Sequence, residues 1–404
     1  MSGRLRLAAT GVQDQWLTGD PQFSYFLMNF KRHTKFAIDY FENQFDGTLD
    51  FGEIITSRVP SDKGDLIKNM NLKLTLSDPG PDTSGSLNDV YWNPSIISNL
   101  IDYAELVIGG QVIQKITGEY IYLHQQLHNN NDDTTQTLYF LNGHGNFLTY
   151  IGNYTYYLDL PFYFFRNPSL AIPTCALTKQ QVEVRIKLNP ISKLIFGGAP
   201  SNVTGSIKKI SLDAEFIYVE KDERNFLMSR PIEYVITQLQ MSQFKMKAGE
   251  TKKSVMLNFK HPVRELFFTC RPDYFNLHFN TPNYSTNIKN VELRFNNQVV
   301  FNDETKFLVY EQALKHYTNS PLILNTLAPL FGIFSLKSDF GMYSFSLQPE
   351  VHYPTGQVNM SRIIHKLFTI EIDPSSLIYD NDVHVYAVNY NVLRFESGLA
   401  GLKF

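Results

Sequence analysis

Cysteine, tryptophan and charge are all scarce in this 404-residue chain: two Cys, two Trp and only 19% Asp, Glu, Lys and Arg together. Cys175 and Cys270 lie far apart, form no metal-ligand spacing and each sit in an apolar run. Buried thiols are therefore expected, with neither a disulfide framework nor a metal knuckle. Low charge combined with 43% apolar residues excludes a disordered chain and supplies material for large cores. With a net charge of -3 and no Lys/Arg run resembling a phosphate-binding arm, no direct nucleic-acid contact is expected.

Signals for export and membrane insertion are also missing. The opening MSGRLRLAATG lacks the apolar core and small-residue cleavage site of a signal peptide. The most apolar stretch, Pro321 to Phe334, is interrupted by Asn325, Thr326 and Pro329 and falls short of the ~20 apolar residues that span a bilayer. Catalytic constellations are lacking too: there is no Gly-x-Ser-x-Gly elbow, no His-Glu-x-x-His helix and no local Cys-His signature. No His-x-His occurs, which sets aside a two-barrel metal oxygenase. Nothing argues for an enzyme or for a cofactor.

Aromatic residues are plentiful at 14%, as 31 Phe and 23 Tyr, and they favour the half-buried face of a strand. Runs with period-two alternation recur, such as Leu72 to Leu76, Val182 to Ile186, Phe368 to Ile372 and Val383 to Val388. Each reads as a strand with one buried face. Between such runs lie Gly, Pro and Asn clusters, for example Ser77 to Asp82, Asn142 to Asn146 and Gly197 to Pro200, which reverse the chain. Long helical periodicity is almost absent.

One segment occurs twice. Ile101-Asp-Tyr-Ala-Glu-Leu-Val-Ile-Gly-Gly-Gln-Val-Ile113 aligns without a gap to Ile288-Lys-Asn-Val-Glu-Leu-Arg-Phe-Asn-Asn-Gln-Val-Val300. Both read as strand, two-residue turn, strand, and Gly-Gly and Asn-Asn both suit the positive φ of a tight hairpin. In each half a Pro-containing segment follows, Leu160-Pro161-Phe162 and then Leu347-Gln348-Pro349, and an alternating strand ends the half. The chain thus reads as one β domain used twice, each copy long enough for a jelly roll of ~8 strands. The expected division is an N-terminal arm at 1–28, a first jelly roll at 29–222, a charged, solvated linker at 223–232 and a second jelly roll with a C-terminal tail at 233–404.

Ordered blocks of residues resemble the major capsid proteins of large eukaryotic double-stranded DNA viruses. GVQDQWLTGDPQFSYF (Gly11 to Phe26), KRHTKFA (Lys31 to Ala37), GDLI (Gly64 to Ile67), ELVIGGQVIQKITGEY (Glu105 to Tyr120) and LPFYFFRNPSLAIPTCAL (Leu160 to Leu177) carry the likeness in the first half. HPVRELFF (His261 to Phe268), SFSLQPEVHYPTGQVNMSRI (Ser344 to Ile363) and YAVNYNVLRFESGLAGL (Tyr386 to Leu402) carry it in the second. Trp16 departs from the family, which more often has another aromatic there, and the chain is short, which implies trimmed surface loops. The resemblance implies an all-β double jelly roll, two tandem eight-stranded sandwiches with short helices only in loops. It further implies a homotrimer of near-hexagonal outline that tiles an icosahedral shell in the virion, assembled in the host cytoplasm. The implied partners are neighbouring capsomers, minor capsid and penton proteins and an internal viral membrane. A two-domain jelly-roll lectin shares the fold and stands as the competing binding-module reading.

Candidate contact residues come from the arm and the segment after it. Arg4, Arg6 and Trp16 belong to a stretch that either packs on its own barrel or touches neighbouring capsomers, minor proteins or lipid. Lys31, Arg32 and His33, with Lys35, form the densest basic cluster and read as a contact to acidic groups on a neighbour or as a solvated strand end. His124 and His128 stand four apart, with Asp132 and Asp133 behind them; a short helix explains the pattern as well as a metal site does. Asn142 to Asn146 lacks the ending of a phosphate loop and reads as a turn. Sequons at Asn153, Asn202, Asn283 and Asn359 are candidates for glycans on outer loops, though such triplets also arise by chance.

Overall fold

Alternating burial turns the period-two runs into strands whose polar faces stay wet and whose apolar faces meet. The computed structural model describes residues 2–28, 30–80, 90–93, 95–128, 141, 143, 153–196, 204–272, 288–304, 307–317, 340–373 and 380–404. By internal contacts Met1–Phe36 forms one unit and Ala37–Phe404 another. In the first unit the helices Ser2–Ala8 and Asp14–Thr18 bury no residue.

Among the described residues of the first half run β1 (Phe36–Gln44), β2 (Ile54–Val59), β3 (Leu66–Leu76), β4 (Tyr91–Trp92), β5 (Ile101–Ile108), β6 (Gln111–Thr117), β7 (Tyr154–Asp159), β8 (Val182–Leu188), β9 (Ile195–Phe196) and β10 (Ile207–Val219). The second half supplies β11 (Ile232–Met246), β12 (Lys252–Met256), β13 (Pro262–Pro272), β14 (Ile288–Phe295), β15 (Gln298–Glu304), β16 (Gly341–Ser344), β17 (Val358–Asn359), β18 (Lys366–Ile372), β19 (Asn381–Glu396) and β20 (Leu399–Leu402).

Two four-stranded sheets, ordered β1-β10-β3-β7 and β2-β8-β5-β6, make the first half. The second repeats this order as β11-β19-β13-β16, to which β17 adds beside β13 and β20 beside β19, and as β12-β18-β14-β15. This order is that of a jelly roll, in which the first strand of a half lies beside its last long one. The fold is an all-β double jelly roll, and its helices are short.

The duplicated segment is the same hairpin in both copies. It forms β5–β6 through Gly109 and Gly110, at φ 58° and 84°, and β14–β15 through Asn296 and Asn297, at φ 47° and 70°. Each hairpin carries a register shift at the same aligned place, between Leu106 and Val107 and between Leu293 and Arg294. A second shared shift occurs on the other edge, between Ile101 and Tyr103 against β8 and between Ile288 and Asn290 against β18. An asparagine caps a 3-10 turn ahead of β8 and of β18, the corresponding strands of the two halves: Asn167 Oδ1 accepts from Ser169 N at 3.2 Å, and Asn359 Oδ1 from Ser361 N at 3.1 Å.

The charged stretch read as a linker is a helix, Lys221–Ser229, none of whose residues is buried. Asp222 and Glu223 fall in its first turn, where carboxylates complement the helix dipole. Arg224 Nε lies 3.2 Å from the carboxylate of Asp65 in the first barrel, so the connection is tied down as well as solvated. Cys175 and Cys270 are buried thiols that form no disulfide.

Candidate assembly surfaces and the seam between the barrels

The residues that join the two barrels come from strands buried on both faces. β3 alternates buried and half-buried positions, as a one-sided strand should, whereas β13 is buried without a break from Glu265 to Cys270. Neighbouring residues there face opposite cores. Phe268, Val385 and Ala387 belong to the second barrel's own core, whereas Phe267, Tyr386 and Val388 belong to a cluster continuous with the core of the first. Tyr120 of the first barrel meets Phe267 edge-on at 6.2 Å between ring centroids and lies 6.4 Å from Tyr386.

The helix Gly118–His128, which follows β6, supplies the first barrel's side of this seam. Its first residue has to be glycine, because a Cβ there would collide with the carbonyl oxygens of Ser98 and Ile101. That close approach presses the helix onto the barrel and aims Glu119 at the partner sheet. Arg271 on β13 stands 2.8 Å from Glu119 Oε1, while His384 Nδ1 and the Tyr386 hydroxyl on β19 donate to Oε2. Burial opposes ionisation of Glu119, but Arg271, His384 and these hydrogen bonds outweigh it and hold the carboxyl well below the usual carboxylate range. A second buried pair lies behind it, where Arg264 Nε donates to Glu265 Oε1 at 2.8 Å and the Tyr317 hydroxyl donates to Oε2 at 2.5 Å. Burial and the Glu265 charge push the Tyr317 phenol well above its ordinary value, so it remains a donor.

A C-terminal strap closes the other side. Ser397 and Gly398, at φ 55° and 84°, turn β19 back into β20. Lys179 N donates to the Gly398 carbonyl at 3.2 Å, and Ala400 N donates to Gln180 Oε1 at 2.7 Å. Across the seam, Gln238 on β11 donates to the Ile113 carbonyl on β6 at 2.6 Å.

The expected contact residues of the arm lie elsewhere. Arg4, Arg6, Trp16, Lys31, Arg32 and His33 are all exposed and all in the Met1–Phe36 unit, Trp16 at 89%. The arm also exposes Leu17, Tyr25, Phe26, Met28 and Phe30, with Phe26 at 95%. Phe23 and Tyr25 meet edge-on within the arm, at 4.9 Å between ring centroids. The signal in the sequence is the aromatic run from Phe23 to Phe30 that follows Pro21.

His124 and His128 share a helix face, but their rings stack on each other, so their nitrogens do not converge on a common point. Among the described residues no group of three or more His, Cys, Asp or Glu is placed to hold a metal. Asp132 and Asp133, the Pro321 to Phe334 stretch, Asn202 and Asn283 lie outside the described residues, as does Asn142 to Asn146 apart from Gly143. Asn153 and Asn359 are exposed. The seam's polar members, above all Glu119, Arg271 and His384, were not singled out from sequence. Only Glu119 falls within a resembling block, Glu105 to Tyr120; Arg271 and His384 lie just outside His261 to Phe268 and Tyr386 to Leu402.

Two family models match adjoining parts of the chain, one described as major capsid protein N-terminus over residues 24–222 and one as large eukaryotic DNA virus major capsid protein over 223–401. The major capsid protein of Pyramimonas orientalis virus is 29% identical over 418 residues, which cover 100% of this chain and 99% of that protein. That of Paramecium bursaria Chlorella virus 1 is 27% identical over 451 residues, 100% of both. Among solved structures, PBCV-1 VP54 superposes with a TM-score of 0.77 at 20% identity, over 94% of this chain and 100% of that one. The Faustovirus major capsid protein does so at 0.73 and 12% identity, over 96% and 94%. These structural likenesses concern the fold alone.

Proposed function

The chain belongs to the major capsid proteins of large eukaryotic DNA viruses, and from that premise we propose that three copies close into a homotrimeric capsomer of near-hexagonal outline. Its work is structural, the building of a capsid shell in the virion among neighbouring capsomers. The observation that carries the trimer reading is the welding of two equivalent barrels into one body. Three such bodies put six barrels around one axis, and a six-cornered outline tiles a surface. Trimer contacts of this obligate kind bury at least ~2,000 Å². Heterologous contacts between trimers then propagate an icosahedral lattice.

The arm is the second part of the proposal. Residues 1–36 hold Arg4, Arg6, Lys31, Arg32 and Lys35 against Asp14 and Asp20, five minus two, a net +3. With Trp16 and His33 exposed beside them, this segment reaches acidic surfaces on minor capsid or penton proteins, or the headgroups of an internal viral membrane. Assembly takes place in the host cytoplasm. The barrels divide at 29–222 and 233–404 with 223–232 between them; the break between the matches at 222 and 223 and the separation of the sheets support this division. Glycans at Asn153, Asn202, Asn283 and Asn359 are read by intact-mass measurement of protein from infected cells, where an unmodified mass rejects them.

Light scattering coupled to size exclusion, followed by negative-stain imaging, tests the trimer with the full chain and a variant lacking 2–28. Both are expected at three times the mass of one chain, and only the full chain is expected to retain lattice contacts. A full chain that stays monomeric at assembly concentrations overturns the reading.

A further inference from the structure

The helix Gly118–His128 carries two histidines that shell building does not require. One turn apart, the His124 and His128 rings lie flat on each other, with centroids 3.8 Å apart and planes 11° from parallel. His128 Nδ1 lies 2.9 Å from the His124 carbonyl oxygen, which fixes that nitrogen as a donor. Phe165 of the first barrel meets His124 edge-on at 5.8 Å, and Tyr317 of the second barrel meets His128 edge-on at 5.5 Å. The stack therefore sits in the seam, one ring against each barrel.

Two imidazolium rings cannot hold this geometry, because like charges face each other at contact distance. The surrounding charges sharpen the effect at His124, where Arg166 from the first barrel and Arg264 from β13 add repulsion. At His128 the carboxylates of Glu350 and Glu265 attract and Arg264 repels. On the helix itself Glu119 is already committed to Arg271 and His384. His124 and His128 are both half-buried residues rather than deeply enclosed ones.

We propose that the His124–His128 stack is an acid-sensitive latch on the seam between the barrels, closed while both rings are neutral and released when they take up protons. The latch stands on the seam alone and does not require the trimer. Burial first, then the neighbouring cations, holds His124 well below the ordinary histidine value; burial also lowers His128, against its bond to the His124 carbonyl. Above about pH 6.5, the ordinary histidine value, open and closed seams bind the same protons and the latch contributes fully. As the pH falls below that value the open seam takes protons first, and the contribution is lost until the pH passes the lowered values of the closed seam. Glu119 stays ionised across this window, so the helix remains clasped at its first turn while its last turn lets go.

Hydrogen exchange on the native full chain tests this at about pH 7.5 and about pH 5, either side of the ordinary histidine value, with intrinsic exchange rates corrected. Peptides covering 118–128 and 312–317 are expected to gain exchange in acid, while β10 peptides do not. Thermal melts across the same range compare the native chain with His128→Phe and His124→Phe, and the acid-induced fall in Tm is expected to shrink by half or more in each. Unchanged exchange over 118–128 in the native chain, or the same Tm slope in variants and native protein, overturns the latch. If a variant fails to fold, the exchange measurement on the native chain decides alone.

Discussion

β3 and β13 hold the same place in their two jelly rolls, yet β3 buries one face and β13 buries both. The first barrel keeps the ordinary form of the strand, with a polar side half in water. The second has turned the outer face of its sheet into a partner for the helix Gly118–His128. Duplication has preserved what makes a jelly roll, including the register shifts of the hairpin, while the asymmetry gathers where the copies touch. A repeated domain becomes one body by altering a single face rather than its topology.

The largest way to break this comparison is to truncate the neighbours Phe267 and Phe268 to Ala, which should each cost about 3–5 kcal/mol. Scanning calorimetry should separate them: Phe267→Ala opens the shared cluster and splits the transition, whereas Phe268→Ala empties the private core and lowers Tm without splitting. Next comes removal of the charge at the centre of the seam. Glu119→Ala leaves the half-buried Arg271 without its counter-ion and is expected to lower stability by up to about 3 kcal/mol in guanidinium denaturation, the low end for breaking a buried pair. A loss within experimental error would mean that the barrels do not depend on the clasp.

The strap ranks lower. Gly398→Ala places a Cβ against Thr178 at a positive φ and is expected to cost at least ~1–2 kcal/mol; loss of the Ala400 bond in Gln180→Ala should cost about 1 kcal/mol. Equal melting of Gln180→Ala and the parent would show that the strap contributes nothing. Smallest is Asn297→Gly in the second hairpin turn, expected to be neutral or to stabilise by a few tenths of a kcal/mol, since Asn-Gly suits that turn best. A clear destabilisation there would argue that the Asn297 side chain has a task that Gly110 lacks.

Local rules made the barrels legible. Alternation located β3, β8, β18 and β19, and the dipeptides Gly109-Gly110 and Asn296-Asn297 marked two hairpins whose φ values the structure bears out. The seam was not legible, because Glu119, Arg271 and His384 are far apart in sequence and only the docking of two domains brings them together. β13 did carry a trace of it, since Leu266-Phe267-Phe268 interrupts alternation as a strand buried on both faces must. The helix Lys221–Ser229 was missed for a different reason: a run of charges without apolar spacing reads as a solvated loop until its fixed ends are known. Arg4, Arg6, Trp16, Lys31, Arg32 and His33 were legible only as candidate contacts, because sequence did not separate packing on the chain's own barrel from reaching a neighbour; all six are exposed.

If the seam makes the two jelly rolls a single folding unit, calorimetry of the native chain will show it. One cooperative transition is predicted for Ala37–Phe404, with equal calorimetric and van't Hoff enthalpies. Two separable transitions, one for each barrel, would contradict it.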